Sequence, residues 1–343
     1  MSHPSSPLAS PRGGAPRHAS PPIVLTFAAS DPTGAGGLQA DLLTLASLGC
    51  HPLSVLTAVA VQDSAALDAL QPVSPEWIDD QARTLLEDMS VGAFKVGRLG
   101  SVENAALVAE ILADYPDIPV VLDPVALAPA PVGSGDGPRL ADDLSEAWGD
   151  SWEAQWDGEL ESDRALAAAV AELLLPQATV VTPNRLEARL LAGDLPARGG
   201  EDQDDAGDGV EGDDSVVADP ADDDAAPAAE LARTLIERGC SHVLFTGVHT
   251  PSPDVVNRLY DETGLVHTYR WKRLAGPFNG AGATLSAAIA ANLANGLTIQ
   301  DAVREAQDYC WHALAAGFRA GMGRRVPDRF FWARGLAGDG RPS

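Results

Sequence analysis

The chain has 343 residues, of which 45% are apolar, so it can form one large α/β domain or two small ones around a buried core. Its formal net charge is −26, and its only lysines are Lys95 and Lys272. Binding to a nucleic-acid backbone or an anionic membrane surface depends on Lys and Arg, so this charge argues against both partners. An anionic small molecule is not excluded, because backbone amides bind phosphate locally whatever the total charge.

The three cysteines, Cys50, Cys240 and Cys310, stand far apart in the sequence. No two of them have the spacing of a disulfide framework or a zinc site, so we expect neither. No apolar run is long enough to span a bilayer, and residues 1–21 lack the apolar middle region of a secretory signal. We therefore expect a cytoplasmic protein with a disordered tail over residues 1–21.

Strands and helices are predicted to alternate along most of the chain. A continuous apolar strand, Ile23–Ala28, runs into a glycine-rich loop and then into the helix Leu38–Leu48. This alternation predicts an α/β fold with a mostly parallel central sheet and helices on both faces. The later predicted elements, in chain order, are strand Leu53–Val61, helix Pro75–Asp88, strand Gly92–Val96, helix Val102–Asp114, strand Pro119–Leu122, helix Leu166–Leu174, strand Thr179–Val181, helix Arg185–Leu191, helix Ala228–Arg238, strand His242–Phe245, the hairpin strands Val255–Tyr260 and Leu265–Trp271, and helices Gly282–Asn295 and Ile299–Phe318.

Two acidic stretches interrupt the alternation, at about 133–163 and about 199–229. The first mixes Gly and Trp with many acids, and the second contains twelve acidic residues and no Lys or Arg. Such stretches repel themselves and bury too little apolar surface to fold. We interpret both as surface insertions in a single domain covering residues 22–333, with residues 334–343 as a tail.

A run of small residues, Gly280, Ala281, Gly282 and Ala283, precedes a predicted helix. Small residues let the backbone approach a ligand closely, and the first amides of a helix have no intrahelical acceptor. Together these features predict an anion hole suited to a phosphoryl group. A tight turn that packs the helix on the sheet would explain the run about as well.

Asn184 and Glu187 follow another predicted strand, in the run Thr-Pro-Asn-Arg-Leu-Glu. If a helix begins at Asn184, both side chains lie on the same face. They would then hold Mg²⁺ through water, next to a nucleotide phosphate. The alternative, which local sequence favours, is a helix cap formed by Asn184 with an acidic first turn.

Three more polar residues stand at the ends of predicted elements. Asp123 follows a strand at the edge where open α/β sheets bind ligands, which makes it a candidate metal ligand or merely the start of a turn. Asp41 and Gln62 carry a carboxylate and an amide, which together can recognise the amino group and ring nitrogen of a pyrimidine. Either could equally be an ordinary polar residue at the end of an element.

The order of these motifs resembles the hydroxymethylpyrimidine/phosphomethylpyrimidine kinase family of thiamine biosynthesis. The resemblance covers about residues 22–318, and its most specific part is the run Asp-Pro-Thr-Gly-Ala-Gly-Gly-Leu-Gln-Ala-Asp that ends at Asp41. The other matching motifs are Gln62, Lys95-Val96-Gly97, Leu122-Asp123-Pro124-Val125, Thr182-Pro183-Asn184-Arg185-Leu186-Glu187, Gly247-Val248-His249 and Gly280-Ala281-Gly282-Ala283-Thr284-Leu285-Ser286.

This resemblance implies a ribokinase-like three-layer sandwich, ATP and Mg²⁺ as cofactors, an aminopyrimidine substrate and a possible homodimer. The amides of Gly280 to Ala283 would form the anion hole. The residues that would contact the substrate are Ala29, Asp41, Gln62, Arg98 and Val125. Those that would serve the nucleotide are Asn184, Glu187, Thr246 and Gly247, and those that would serve the metal are Asp123 and Glu187.

The sequence departs from the family's usual residues at four of these places. Ala283 stands where the family has a catalytic Cys, and Thr246 where it has a Lys that touches the nucleotide phosphates. Ala29 replaces a Gly, and Arg98 replaces a Met near the substrate. Because a phosphate monoester is already mostly ionised at neutral pH, whereas an alcohol must lose a proton, the missing base predicts that the second phosphorylation is favoured. Arg98 would bind the monophosphate if it faces the pocket, or else point to solvent.

Two other functions fit the same residues. A pyridoxal or pyridoxine kinase would phosphorylate a similar ring alcohol, although Asp41 and Gln62 favour an aminopyrimidine. A catalytically silent pyrimidine-binding protein would keep the pocket without the chemistry, and the replacements at Ala283 and Thr246 favour that alternative.

Overall fold

A computed structural model gives the structure of the chain and describes four stretches of it. These are residues 20–124, 164–194, 225–247 and 253–334. Outside them lie most of both predicted tails, the insertion at 133–163, most of the insertion at 199–229, and Val125. None of the helices within the described ranges is both long enough and apolar enough to cross a membrane.

The central sheet has eight strands in the order β10-β9-β8-β7-β6-β5-β1-β2. All neighbours from β8 to β2 pair in parallel, whereas β9 pairs antiparallel with both β8 and β10. The prediction of a mostly parallel sheet is therefore confirmed. The strands are β1 (Ile23–Ala28), β2 (His51–Leu56), β5 (Ala93–Val96), β6 (Val120–Leu122), β7 (Val180–Val181), β8 (Val243–Phe245), β9 (Asp254–Asp261) and β10 (Gly264–Lys272).

Helices cover both faces of this sheet. They are α1 (Gly37–Ser47), α2 (Pro75–Asp88), α3 (Val102–Ala113), α4 (Arg185–Ala192), α5 (Ala225–Glu237), α6 (Ala281–Ala294), α7 (Ile299–Ala315) and the short α8 (Phe331–Arg334). A further helical segment at 164–169 continues into a π-helical turn, Val170–Leu174, and a 3₁₀ turn, Leu175–Gln177. α5 begins three residues earlier than predicted, inside the stretch assigned to the second insertion.

Alternate strand residues enter two separate cores, as the period of a β-strand requires. In β1, for example, Leu25 and Phe27 belong to the core that includes residues of helices α2 to α5, whereas Val24 belongs to the core that includes residues of α1, α6 and α7. The result is a three-layer sandwich, as predicted. The helix α6 is buried along most of its length because it lies between the sheet and α7.

The predicted strand Leu53–Val61 is wrong, because the chain leaves the central sheet at Thr57. β2 ends at Leu56, and β3 (Ala58–Gln62) pairs antiparallel with β4 (Leu67–Pro72) in a separate two-stranded sheet. The hydroxyl of the buried Thr57 donates a 2.6 Å hydrogen bond to the carbonyl of Arg98, and its amide bonds to Ala28. These contacts fix the exit from the central sheet, so that β3 and β4 form a hairpin beside its edge.

Candidate active site

A buried cluster of charges lies behind the carboxyl edge of the sheet. Lys95 is in β5, Asp123 follows β6, and Asp41 is in α1. Nζ of Lys95 lies 3.1 Å from Oδ2 of Asp41 and 3.4 Å from Oδ2 of Asp123. Lys95 thus joins two acidic side chains that come from opposite sides of the site.

Each carboxylate of this cluster also accepts a hydroxyl hydrogen bond. Oγ1 of Thr26 lies 2.7 Å from Oδ2 of Asp41, and Oγ of Ser286 lies 3.1 Å from Oδ2 of Asp123. Oδ1 of Asp41 is buried and has no hydrogen-bond partner among the described residues. A buried acceptor of this kind is costly unless a donor meets it, so Asp41 is suited to an N–H of a ligand.

Electrostatics in the cluster follow from its burial and its mixed charges. Complete burial raises the pKa of Asp41, although Lys95 and Thr26 oppose that rise. Burial alone would lower the pKa of Lys95, but Asp41 and Asp123 outweigh it, and the net direction is upward. Lys95 therefore remains a cation at neutral pH and neutralises part of the paired acidic charge.

The residues predicted to form the anion hole lie at the start of α6. Gly280 precedes the helix in the left-handed region with φ 84°, and it makes no side-chain cap. The amides of Ala281, Gly282 and Ala283 are therefore left without an intrahelical acceptor, as in other helix N-termini that bind anions. A Cβ at Gly282 would lie 3.7 Å from Oδ1 of Asp123, so the anion hole borders the charge cluster.

The first glycine-rich loop packs directly against the anion hole. A side chain at Gly280 would collide with the carbonyl of Ala35, which leaves room only for glycine. Asp31 shapes the loop, since its carboxylate accepts hydrogen bonds from Thr33 and from the amide of Gly36. The two glycine-rich segments, distant in sequence, thus form one continuous backbone surface.

The predicted substrate side is assembled from β1, β3 and the chain after β5. The amide of the buried Ala29 bonds to the carbonyl of Arg98 at 2.9 Å, which brings these two predicted residues together. The amide of Ala60 in β3 bonds to Oγ of Ser30 at 3.2 Å. Gln62, two residues further along β3, is half-buried and follows an irregularity in the strand register after Val61.

The β3–β4 hairpin is also tied to the segment 317–329. The carbonyl of Ser64 accepts from the amide of Arg324, and its hydroxyl from the amide of Gly323. The neighbouring Arg325 forms an isolated parallel β-bridge with Phe278, which lies just before the predicted anion hole. This segment therefore links the hairpin to the anion hole, a connection that the sequence patterns did not predict.

On the predicted nucleotide side, Asn184 and Glu187 form a reciprocal helix cap. Oδ1 of Asn184 accepts from the amide of Glu187 at 3.0 Å, and Oε2 of Glu187 accepts from the amide of Asn184 at 2.9 Å. The capping interpretation of this motif is therefore confirmed. Asn184 also forms an isolated parallel β-bridge with Thr246, so the two predicted nucleotide segments are neighbours.

Glu187 belongs to the same electrostatic site as Asp123. Burial raises the pKa of Glu187 to about 8, with a further upward contribution from Asp123 and a downward one from Arg98. The half-buried Arg98 thus also affects the charge of Glu187, on the predicted nucleotide side of the site. Gly247 is fixed nearby, because its amide bonds to Oδ1 of Asn257 at 3.0 Å and a side chain there would overlap Val256.

The acidic residues of the site fit Mg²⁺ held partly by phosphate oxygens. In the described part of the chain, no group of three or more His, Cys, Asp or Glu residues could hold a metal ion alone. Mg²⁺ usually binds through one or two carboxylates together with substrate phosphates and water. Asp123 and Glu187 would supply those carboxylates.

Comparison with known proteins shows the family to which the chain belongs. The sequence model of the family described as phosphomethylpyrimidine kinase matches residues 31–133 and 213–328, more than half of the chain. The chain belongs to this family. A hydroxymethylpyrimidine/phosphomethylpyrimidine kinase from Streptomyces coelicolor is 35% identical over 316 residues, which are 92% of this chain and 96% of that protein.

Solved structures confirm the ribokinase-like fold of this family member. Pyridoxal kinase from Staphylococcus aureus, in complex with ADP, aligns with a TM-score of 0.69 and 24% identity over 92% of this chain and 96% of its own. A phosphomethylpyrimidine kinase from Clostridium difficile aligns with a TM-score of 0.59 and 23% identity, over 85% of this chain and 99% of its own. At these identities the likeness concerns the fold alone.

Proposed function

We propose that this protein transfers the γ-phosphoryl group of ATP to hydroxymethylpyrimidine or its monophosphate, as the names of its relatives suggest. The observation that carries the proposal is the continuous path of contacts from Asp41 through Lys95 to Asp123, and from there through Ser286 to Gly282 at the start of α6. It joins the predicted pyrimidine-binding side chain to the predicted phosphoryl-binding backbone. Asp41 and Gln62 would hold the ring, and Ala29 and Arg98 would line the same pocket.

In the reaction, the acceptor oxygen of the substrate attacks the γ-phosphorus of ATP, and the bond to the oxygen that bridges the β- and γ-phosphorus atoms breaks to release ADP. The amides of Ala281, Gly282 and Ala283 would stabilise the charge on the transferred group. Asn184, Glu187, Thr246 and Gly247 would position the nucleotide. Mg²⁺, when bound at Asp123 and Glu187, would neutralise phosphate charge.

The second phosphorylation is the favoured step in this proposal. Ala283 is half-buried in the first turn of α6 and offers no proton acceptor to a substrate alcohol. A phosphate monoester has a second pKa of about 6, so most of it is already a dianion at neutral pH. The dianion is the nucleophilic form. Arg98, close enough to lower the pKa of Glu187, would help to hold that added charge.

A pyridoxal kinase is the second candidate function, and its fold is shared. The unpartnered Oδ1 of Asp41 favours a ligand that presents an N–H, as an aminopyrimidine does. A silent pyrimidine-binding protein is the third candidate, consistent with Ala283 and Thr246. A cytoplasmic location and a homodimer remain predictions.

The test is ATP turnover by the full chain with Mg²⁺ and each ring substrate offered alone. The proposal expects ADP release that depends on an aminopyrimidine and is faster than with pyridoxal. Faster turnover with pyridoxal would favour the second candidate. Binding of the pyrimidine without any turnover would favour the third.

A further inference from the structure

Arg329 is buried where the two glycine-rich segments meet. Only 3% of this residue is exposed. Its Nη1 donates to the carbonyl of Gly34 at 3.0 Å, and its Nη2 donates to the carbonyl of Ala35. Its Nε donates to Oγ1 of Thr284 at 3.1 Å. One guanidinium therefore holds the first glycine-rich loop and the first turn of α6 in a fixed relation.

The contacts of Arg329 continue into the anion hole itself. Oγ1 of Thr284, which accepts from Arg329, donates to the carbonyl of Gly280 at 2.7 Å. Nη2 of Arg329 also lies 3.0 Å from the position that a Cβ on Gly280 would take. The guanidinium thus stands directly behind the residue that opens the anion hole.

The hydrogen-bond acceptors of the Arg329 side chain are uncharged groups. Among the described residues, no carboxylate lies within the 4.0 Å of an ion pair, and the acceptors of the side chain are two carbonyls and one hydroxyl. Burial lowers the pKa of Arg329, which reflects the cost of removing this cation from water. A buried charge is normally paired, so an anion bound at the start of α6 would complete the site.

We infer that Arg329 is a positioning residue for the transferred phosphoryl group. It aligns the Gly34–Ala35 carbonyls with the anion hole and places a positive charge behind Gly280. The inference rests on the proposed function for the identity of the anion, which is the terminal phosphate of ATP.

The test compares the binding of ATP and of adenosine by calorimetry, which needs no turnover. We expect Arg329→Gln to bind adenosine within twofold of the wild type and ATP at least tenfold more weakly. Arg329→Lys keeps the charge but loses the paired donors. Its affinity for ATP should therefore lie between those of the wild type and Arg329→Gln. If Arg329→Gln does not fold, Arg329→Lys decides the test, with an ATP-selective loss of at least threefold expected.

Ser47→Ala is the matched control. Oγ of Ser47 donates to the backbone carbonyl of Arg329 at 2.6 Å, so this change loosens the same segment without touching the guanidinium. We expect it to leave the ratio of ATP to adenosine affinity unchanged. Arginine variants that bind ATP like the wild type, or that lose both ligands equally, would overturn the inference, as would the same selective loss in Ser47→Ala. Absence of turnover in the wild type would instead count against the proposed function.

Discussion

Nζ of Lys95 and Oδ2 of Asp41 lie 3.1 Å apart, and the exposed fractions of the two side chains are 1% and 0%. Lys95 is one of only two lysines in a chain of net charge −26. Its position between Asp41 and Asp123 keeps two acidic groups together in the interior. The ion pair of Lys95 and Asp41 therefore stabilises the structure around the site and is also part of the site.

Lys95→Met should strongly destabilise the fold. The change leaves Asp41 and Asp123 buried without their cation, and removing one partner of a buried ion pair costs about 3–5 kcal/mol. The free energy of unfolding, measured with urea, checks this expectation. The exposed Lys272→Met is the control and should change it little. Equal stability of the two variants would contradict the assigned role of Lys95.

Gly280→Ala and Gly282→Ala should separate folding from phosphoryl binding. At Gly280 the positive φ and the carbonyl of Ala35 both oppose a side chain, so a loss of about 1–3 kcal/mol in stability is expected. At Gly282, a Cβ makes only an ordinary contact with Asp123 and enters the proposed anion hole.

Gly282→Ala should therefore keep or raise the stability, since alanine favours a helix, yet weaken ATP binding and turnover. Thermal unfolding and ATP titration on both variants provide the measurement. Full activity in Gly282→Ala would show that the phosphoryl group binds elsewhere.

Glu187 should make stability depend on pH. Its pKa is about 8 in the folded protein against an ordinary 4.5, because burial disfavours the charged form. The carboxyl favours folding fully below about pH 4.5, and this contribution is lost as the pH rises toward 8. Each pKa unit of difference between the folded and unfolded chain is worth about 1.4 kcal/mol.

Glu187→Gln removes this titration but can retain the helix cap, since Gln serves at the same position. Urea unfolding at several pH values between 4.5 and 8 should give a smaller loss of stability for the variant than for the wild type. Parallel curves would show that Glu187 titrates normally.

Ala283→Cys should restore a proton acceptor for the first phosphorylation. A thiol at a helix N-terminus has a lowered pKa, and general-base catalysis contributes about 10²- to 10⁴-fold. Turnover of hydroxymethylpyrimidine should rise by far more than turnover of its monophosphate. Ala283→Ser, of similar size but a much weaker base, is the control. Equal gains on both substrates would contradict this explanation of the missing base.

Local sequence patterns predicted most elements of the sheet and its helices, because strand and helix periodicities are local. They failed at Thr57, where the apolar pattern continues although the hydrogen bonds that Thr57 donates to the carbonyls of Ala28 and Arg98 redirect the chain. β4 was missed since its sequence, LDALQP, has little alternation and contains proline. Its pairing with β3 stabilises a strand that its own residues do not favour.

Contiguous motifs predicted where helices begin at the candidate site, as after Gly280 and Asn184. Lys95 stood in a recognised motif, but its role depends on Asp41 and Asp123, which only the fold brings together. Arg329 had no local signal at all. Its proposed role rests on acceptors at Gly34, Ala35 and Thr284, all remote in sequence.

The central claim is that this chain phosphorylates a pyrimidine with positioning and charge, and without the usual base. The most direct test measures ATP consumption with Mg²⁺ for hydroxymethylpyrimidine and for its monophosphate separately. The account predicts clear turnover of the monophosphate and much slower turnover of the alcohol. Faster turnover of the alcohol, or no turnover of either substrate, would contradict it.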